Sequence, residues 1–346
     1  MPSERVLAEL LDLDRGTLRR GIKLLETDRR LVREGRRLAV LSTVDADQGA
    51  SAWLSRAIVV VVPAIPTSDP MRAAWLRYST LGATEAVREA GLHAITLNAG
   101  ELADAQLAPL VASRPMGVLI PEITDDSFVA RAASSFARDG IPVVVFGNDE
   151  SLASYDRVIS DHDVGSYLLT SELLQRGRRP ARFWRRPWDR WWSEDRSAGY
   201  LRAMSEAGHR PFPILEFAPI QTTASDREGF EQTSRQLVGF LLEALRGPDR
   251  MDALMVTSDR DAFYAAAAVR VIGLEPGRDV VIAGYDDYSD LCAESKFIQL
   301  SPRLTINKRN ERMGREMLDL LLERVAGKCP AVAVMRTVAP DLVCDD

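Results

Sequence analysis

Histidine and cysteine are scarce, with 3 of each in 346 residues. Cys292, Cys329 and Cys344 form no close pair and no metal-type spacing, so reduced thiols are expected, with neither a disulfide framework nor a metal site. No run approaches about eighteen apolar residues, which excludes a membrane-spanning helix from the expectations. Met1 is followed by no basic, apolar, small-residue leader, so the chain is expected to stay in the cytoplasm. Missing too are a Gly-x-Ser-x-Gly elbow, a Gly-rich phosphate loop ending in Lys-Ser/Thr and a His-Glu-x-x-His helix, so these hydrolytic and phosphate-handling chemistries find no support. No catalytic residue and no cofactor is expected. His162, in Asp161-His162-Asp163, has no second histidine or cysteine at ligand spacing and reads as a loop residue.

Charge of one sign is weak overall, a net of −6, and this argues against a general nucleic-acid coat. Its distribution is uneven. Residues 1–44 hold ten Lys or Arg against seven Asp or Glu, a local +3, which leaves −9 on the rest. A small basic head on an acidic body suits a chain in which only the head meets phosphate, because backbone neutralisation is local.

The head, Pro2 to Leu41, reads as two helices and a hairpin. Val6, Leu7, Leu10 and Leu11 recur at helical spacing, as do Leu18, Ile22, Leu24 and Leu25, so each segment offers one apolar stripe to the other. Asp14 stands where the second helix needs an N-cap, its carboxylate able to accept from the free amides of the first turn. The outward face of that helix would carry Arg15, Thr17, Arg19, Arg20 and Lys23. Leu31-Val32-Arg33 and Arg37-Leu38-Ala39-Val40 flank Glu34-Gly35-Arg36 as a tight two-stranded wing.

PSERVLA, DRGTLRRGIKLLE and RLVREGRRLAV, in that order and without large gaps, resemble the winged helix-turn-helix of GntR-type bacterial transcription regulators. The resemblance implies that the second helix enters the DNA major groove while the wing lies along the minor groove. It places Arg5, Arg15, Thr17, Arg19, Gly35 and Arg36 on DNA-contacting positions, and Arg20 shares the same outward face. Arginine can fork onto guanine N7 and O6 or onto phosphate, and glycine lets a backbone approach the sugar-phosphate chain. GntR-type heads carry another helix ahead of PSER, so the resemblance implies either a start upstream of Met1 or a shortened, weaker head. The competing assignment is a solvated amphipathic helical pair.

Ser42 to Ser55 is polar and aperiodic and reads as a linker, with Trp53 and Leu54 able to dock it. Beyond it the pattern changes. Ala57-Ile58-Val59-Val60-Val61-Val62 is a continuous β-branched run ended by Pro63, as in a parallel strand buried on both faces. Strand and helix then alternate: helix near 75–90, strand 94–97, helix 102–112, strand 117–120, helix 128–139, strand 142–146. The series restarts with strand 158–160, helix 164–176, strand 181–185, helix 194–207, strand 214–217, helix 229–246, strand 253–256, helix 262–272 and strand 280–283. This is an α/β pattern that builds mostly parallel sheets covered on both sides, in two comparable lobes, with ligands expected at the carboxyl ends of the strands.

VVVVPAI, PVVVFGND, VISDHDVG, RSAGYLRAM, DALMVTSD, DVVIAGYDD and SPRLTIN followed by RMGREMLDLLL together resemble the sugar-sensing domain of LacI/GalR regulators, itself similar to periplasmic sugar-binding proteins. The implied organisation is a partial winged helix-turn-helix over 1–41, a linker over 42–56 and a two-lobed effector-binding domain over 57–346. Lobe one covers about 57–160 and lobe two about 180–300, with crossovers near the C-terminus. The sensor family's usual hinge helix has no counterpart in Ser42 to Ser55, so coupling between head and sensor must run differently.

The resemblance makes Arg196 of RSAG and Asp286 of GYDD the leading effector-binding candidates, since those positions face the ligand in the family. A guanidinium fork opposite a carboxylate can fix a diol in one orientation. Asp161, Ser258 and Asp259 follow strands and would point into the same cleft, although the family carries an amide where Ser258 stands. For all of these the competing assignment is a helix N-cap or a loop carboxylate. Trp184, Trp188, Trp191 and Trp192 crowd FWRRPWDRWWSEDR in what reads as a loop, and indole faces stack on pyranose C–H surfaces. Trp188 is the tryptophan favoured for that role. Trp75 and Tyr78 could supply the opposite wall or a dimer contact.

The chain is thus expected to be a DNA-binding regulator, a repressor, acting as a homodimer on a pseudo-palindromic operator and controlled by a sugar or polyol. Two other classes stay open: a cytoplasmic sugar-binding module that no longer engages DNA, and an α/β enzyme working in the interlobe cleft.

Overall fold

The computed structural model describes residues 14–27, 31–34, 37–40, 53–54, 56–63, 70–99, 104–121, 127–185, 191–217, 226–247 and 250–345. Arg5, Gly35, Arg36, Trp188, the first apolar stripe of the head and nearly all of the linker lie outside the described residues, as do the side chains of Arg15 and Trp75.

In the head, α1 (Arg15–Thr27) is followed by β1 (Leu31–Glu34) and β2 (Arg37–Val40). Asp14 caps α1 as the sequence suggests: its Oδ1 accepts from the amides of Gly16 at 2.8 Å and Thr17 at 3.0 Å, and the Thr17 hydroxyl donates to its other oxygen. These bonds satisfy amides that have no partner within the helix, and they hold the Asp14 carboxyl below its usual range. Leu18 and Ile22, four residues apart, are buried, whereas Arg19, Arg20 and Lys23 are exposed. The strands pair antiparallel with Glu34 opposite Arg37, so a two-residue connection closes the hairpin.

The first lobe is a parallel sheet in the order β13-β7-β6-β5-β3-β4. Its strands are β3 (Ala57–Val62), β4 (His93–Asn98), β5 (Gly117–Ile120), β6 (Val143–Phe146), β7 (Asp156–Ser160) and β13 (Met335–Val338). Period-two alternation sends the side chains of β3 to opposite cores. Val59 and Val61 pack under α3 (Asp104–Ala112) and α4 (Ser127–Arg138). Ile58 and Val60 pack under α2 (Pro70–Glu89) and α9 (Asn310–Val325). A strand covered on both faces has no use for a polar residue, which is why AIVVVV is continuous. β4, at the edge, alternates half-buried and exposed instead. Trp53 stacks on His93 of that edge strand, centroids 4.8 Å apart, so the end of the linker is docked on this lobe.

The second lobe repeats the plan on a four-stranded parallel sheet, β11-β10-β8-β9. It comprises β8 (Pro180–Arg185), β9 (Leu215–Phe217), β10 (Ala253–Val256) and β11 (Val281–Ala283). The helices α5 (His162–Gln175) and α6 (Trp191–Glu206) cover one face, and α7 (Arg227–Arg246) and α8 (Asp259–Val271) the other. Three chain passages join the lobes: β7 into α5, β12 (Arg303–Asn307) into α9, and β13 into β14 (Asp341–Asp345). β12 and β14 form an antiparallel pair set against the end of β11, where the amides of Gly284 and Asp286 donate to Leu304 and Ile306. No helix among the described residues is long and apolar enough to cross a membrane.

Two local expectations change. α6 begins at Trp191 and not at Glu194, so Trp191 and Trp192 belong to its first turn, while Trp184 is a buried residue of β8. The sequence signal misled because aromatic residues have only modest helix propensity and sit beside Pro187. α8 likewise opens at Asp259, which makes Asp259 a helix residue capped by Ser258.

Candidate functional site

Parallel sheets leave their strand carboxyl ends open, and in the second lobe those ends are followed by Thr257-Ser258, by Gly284-Tyr285-Asp286-Asp287 and by the start of α6. Arg196 lies where they meet. It sits in the second turn of α6 and is 5 % exposed, with its aliphatic stem in the lobe and its guanidinium between two rings. The guanidinium carbon is 4.5 Å from the Trp192 ring centre and 3.4 Å from that of Tyr285. Nη1 donates to the Thr257 carbonyl at 2.9 Å and Nε to His162 Nδ1 at 3.4 Å. Burial disfavours the charged form and lowers its pKa, while Tyr285 and Asp286 oppose that.

His162 is the first residue of α5 and is 3 % exposed, so it is not the loop histidine that the sequence suggests. It packs edge-on to Trp191, centroids 5.2 Å apart, and its Nδ1 lies 3.2 Å from the Tyr285 hydroxyl. Burial first, then the charge of Arg196, hold its pKa well below the usual value. It is therefore a neutral imidazole whose Nδ1 accepts. Phe146, at the end of β6 in the first lobe, meets Trp191 edge-on with centroids 6.0 Å apart. The tryptophan pair at the head of α6 thus joins the two lobes through one ring and covers Arg196 with the other.

The segment after β11 turns sharply. Gly284 approaches Asp259 so closely that a Cβ would lie 2.1 Å from Asp259 Oδ1. Asp286 and Asp287 both have positive φ, 103° and 61°, costly for a residue with a side chain and held here by the bonds around them. Asp287 pairs with Arg303 and accepts from Asn307 Nδ2 at 2.8 Å. Asp286 Oδ1 lies 2.8 Å from Lys308 Nζ. Asp259, 2 % exposed, accepts from the Tyr288 amide and the Thr305 hydroxyl, each at 2.5 Å, and burial pushes its carboxyl up to about 7.

The candidates from sequence thus fall into two groups. Arg196 and Asp286 come together, close enough for Asp286 to raise the Arg196 pKa. Asp161, Ser258 and Asp259 have structural employment. Asp161 caps α5 by accepting from the Val164 amide at 2.9 Å, and Ser258 caps α8 while its hydroxyl donates to Asp261 at 3.0 Å. Asp259 ties α8 to β12 and to the turn. Tyr78 stacks on Tyr288 of the second lobe, centroids 5.8 Å apart, and the Tyr288 hydroxyl accepts from Asn310. Sequence reasoning missed His162, Tyr285, Phe146 and Lys308 as neighbours of the site. Tyr285 was legible inside GYDD, whereas nothing in the spacing of Lys308 set it apart.

In the head, Arg19 and Arg20 share the exposed side of α1, and Arg20 Nη2 lies 3.2 Å from the Thr17 hydroxyl. Thr17 is thereby bonded within its own helix and to Asp14. Among the described residues no His, Cys, Asp or Glu cluster could hold a metal ion.

A model of the periplasmic binding protein-like domain matches residues 170–343. The HTH-type transcriptional repressor PurR of Actinobacillus pleuropneumoniae serotype 3 (strain JL03) is 29 % identical over 232 residues, 66 % of this chain and 63 % of that protein. PurR of Haemophilus influenzae (strain ATCC 51907 / DSM 11121 / KW20 / Rd) is 30 % identical over 214 residues, 61 % of this chain and 56 % of its own. The chain therefore spans less than two thirds of the length of these curated relatives. Among solved structures, the transcriptional regulator CelR–cellobiose complex superposes with a TM-score of 0.59 at 21 % identity, covering 99 % of this chain and 98 % of that one. The Lac repressor bound to ONPG in the repressed state gives 0.61 at 17 %, covering 95 % and 88 %. At such identities the likeness is one of fold. The family match begins at residue 170 and does not reach the head.

Proposed function

We propose, because this chain belongs to the periplasmic binding protein-like domain family, that it is a ligand-controlled DNA-binding transcription regulator, a repressor, whose two lobes close on a sugar or polyol. The observation that carries the reading is the buried guanidinium of Arg196, stacked between Trp192 and Tyr285 at the strand ends and next to Asp286. Stacked rings suit the C–H face of a pyranose, and a fork beside a carboxylate suits its hydroxyls. Lobe closure would be felt at Phe146–Trp191 and Tyr78–Tyr288, contacts that span the lobes. An effector shifts DNA affinity only as far as its affinities for the two lobe arrangements differ.

We take the head as a winged helix-turn-helix similar to that of GntR-type regulators. In support, α1 is followed within a few residues by a tight antiparallel hairpin. Arg5, Arg15, Thr17, Arg19, Arg20, Gly35 and Arg36 are assigned to DNA, and Trp188, Asp161, Ser258 and Asp259 to the neighbourhood of the effector, the last three as supports for the residues that touch it. A regulator of this kind works in the cytoplasm, as a dimer that sets two heads on two half-sites.

The test is selection of bound sequences from random duplex DNA with the purified chain, followed by titration of the winner with a sugar panel. Enrichment of a two-fold sequence, released by one sugar, is expected. Arg19→Ala should weaken the selected site by about tenfold or more and random DNA far less, if Arg19 reads a base. A chain that enriches no sequence and still binds a sugar would be a sensor module alone.

A further inference from the structure

Lys308 lies between β12 and α9, on one of the three passages that join the lobes, and its side chain is 12 % exposed. Its ammonium is 2.8 Å from Asp286 Oδ1, so the carboxylate assigned to effector hydroxyls already faces a cation. The other carboxylates nearby are also engaged. Asp287 is held by Arg303 and Asn307, and Asp261 by Thr257, Ser258 and, at 3.9 Å, Arg185. Asp161 caps α5, and Asp259 is bonded to Tyr288 and Thr305. Asp163 pairs with Arg202 on the outer side of α6, next to Asp195, whose carboxyl is raised chiefly by burial.

Arg196 differs from Lys308, Arg303, Arg185 and Arg202, each of which faces a carboxylate. Its bonds go to neutral groups, the Thr257 carbonyl and the His162 imidazole, and its faces are covered by rings. No carboxylate among the described residues forms an ion pair with it. A buried charge bonded directly only to neutral groups, with its nearby carboxylate Asp286 already facing Lys308, is held at a cost that an arriving anion relieves. The Lys308 ammonium brings a second positive charge to the same joint.

We propose that the effector carries an anionic carboxylate beside its hydroxyls, taken by Arg196 and Lys308 together, which makes it a sugar acid of the aldonate or hexuronate kind. The inference rests on the interlobe effector site proposed above. Arg196 supplies the planar fork and Lys308 the point charge from the interlobe passage, so the acid ties the second lobe to the joint on which the first one moves. A phosphate ester offers related chemistry with more charge.

Isothermal titration of the full chain with gluconate, glucuronate, sorbitol, glucose, glucose 6-phosphate and acetate tests this, on the wild type and on Lys308→Gln. One sugar acid should bind about tenfold or more tightly than its neutral counterpart, with acetate silent, and Lys308→Gln should erase most of that ratio, whatever it does to the affinity for the neutral compound through Asp286. Lys308→Arg, which keeps the charge, should retain the preference, and its circular dichroism guards against a folding defect. A neutral sugar bound as tightly as the acids, or a ratio that Lys308→Gln leaves intact, overturns the inference while the sensor reading stands. Preference for glucose 6-phosphate over both acids overturns the carboxylate. Silence from the whole panel also counts against the inference, and the DNA selection then decides by itself whether the regulator reading survives.

Discussion

Asp259 and Arg196 carry opposite burdens, and the charge of the first is felt by the second. Asp259 is a carboxylate that burial pushes up to about 7, so the folded protein holds a proton there that the unfolded chain, with the ordinary value of 3.8, has already released. A group whose folded pKa is raised contributes stability below the unfolded pKa, and that contribution is lost as pH rises to the folded value. The wild type should therefore lose stability between about pH 4 and pH 7 relative to Asp259→Asn, by at most about 4 kcal/mol, read from urea unfolding midpoints across that range. Parallel pH profiles for the two proteins would refute the assignment. Arg196 works by shape as well as charge. Arg196→Lys keeps the charge but loses the fork that reaches Thr257 and His162, and should cost about tenfold or more in effector affinity while the fold persists by circular dichroism.

At the scale of elements, close approach is bought with glycine. α5 and α6 run against each other so tightly that a Cβ on Gly199 would lie 2.0 Å from the Asp163 carbonyl oxygen. α2 and α9 do the same at two places, where a Cβ on Gly82 would meet Glu311 O at 2.0 Å and one on Gly314 would meet Ser79 O at 2.1 Å. Backbone cannot swing aside as a side chain can, so Gly199→Ala should destabilise by about 1–3 kcal/mol or more, measured by chemical denaturation. It should also disturb effector binding, because Gly199 lies on the same helix as Arg196 and Trp192. In the head the cap is the exposed weak point. Asp14→Ala removes the acceptor for the Gly16 and Thr17 amides and should cost α1 about 1 kcal/mol, seen as a several-fold loss in DNA affinity with effector binding unchanged.

At the scale of the whole molecule, the two lobes share three chain passages, and the candidate residues crowd two of them: Asp161 and His162 on the first, Lys308 on the second. An effector bound there, as proposed, would convert ligand contact into lobe angle without a separate relay. If effector and DNA are coupled in this way, the coupling must be reciprocal. Saturating the selected duplex should change effector affinity by the same factor as saturating effector changes DNA affinity, the first by titration calorimetry and the second by fluorescence anisotropy. Unequal factors would mean that the two ligands do not bias one common pair of states.

Local rules decided much of this in advance. AIVVVV announced a strand buried on both faces, alternation of strand and helix announced two layered lobes, and Asp14 announced the start of α1, because each depends only on neighbours a few residues away. RSAG and GYDD marked Arg196 and Asp286 because motifs keep their residues adjacent in the chain. Tertiary structure alone decided the rest. Sequence could not bring His162 beside Tyr285, 123 positions away, or set Tyr78 on Tyr288 across the lobes, since long-range packing leaves no trace in local periodicity. Nor could it say that Asp259 and Ser258 hold the scaffold while Lys308 faces Asp286, because a charged residue after a strand looks the same whether it caps a helix or meets a ligand, and only its neighbours in space tell these apart.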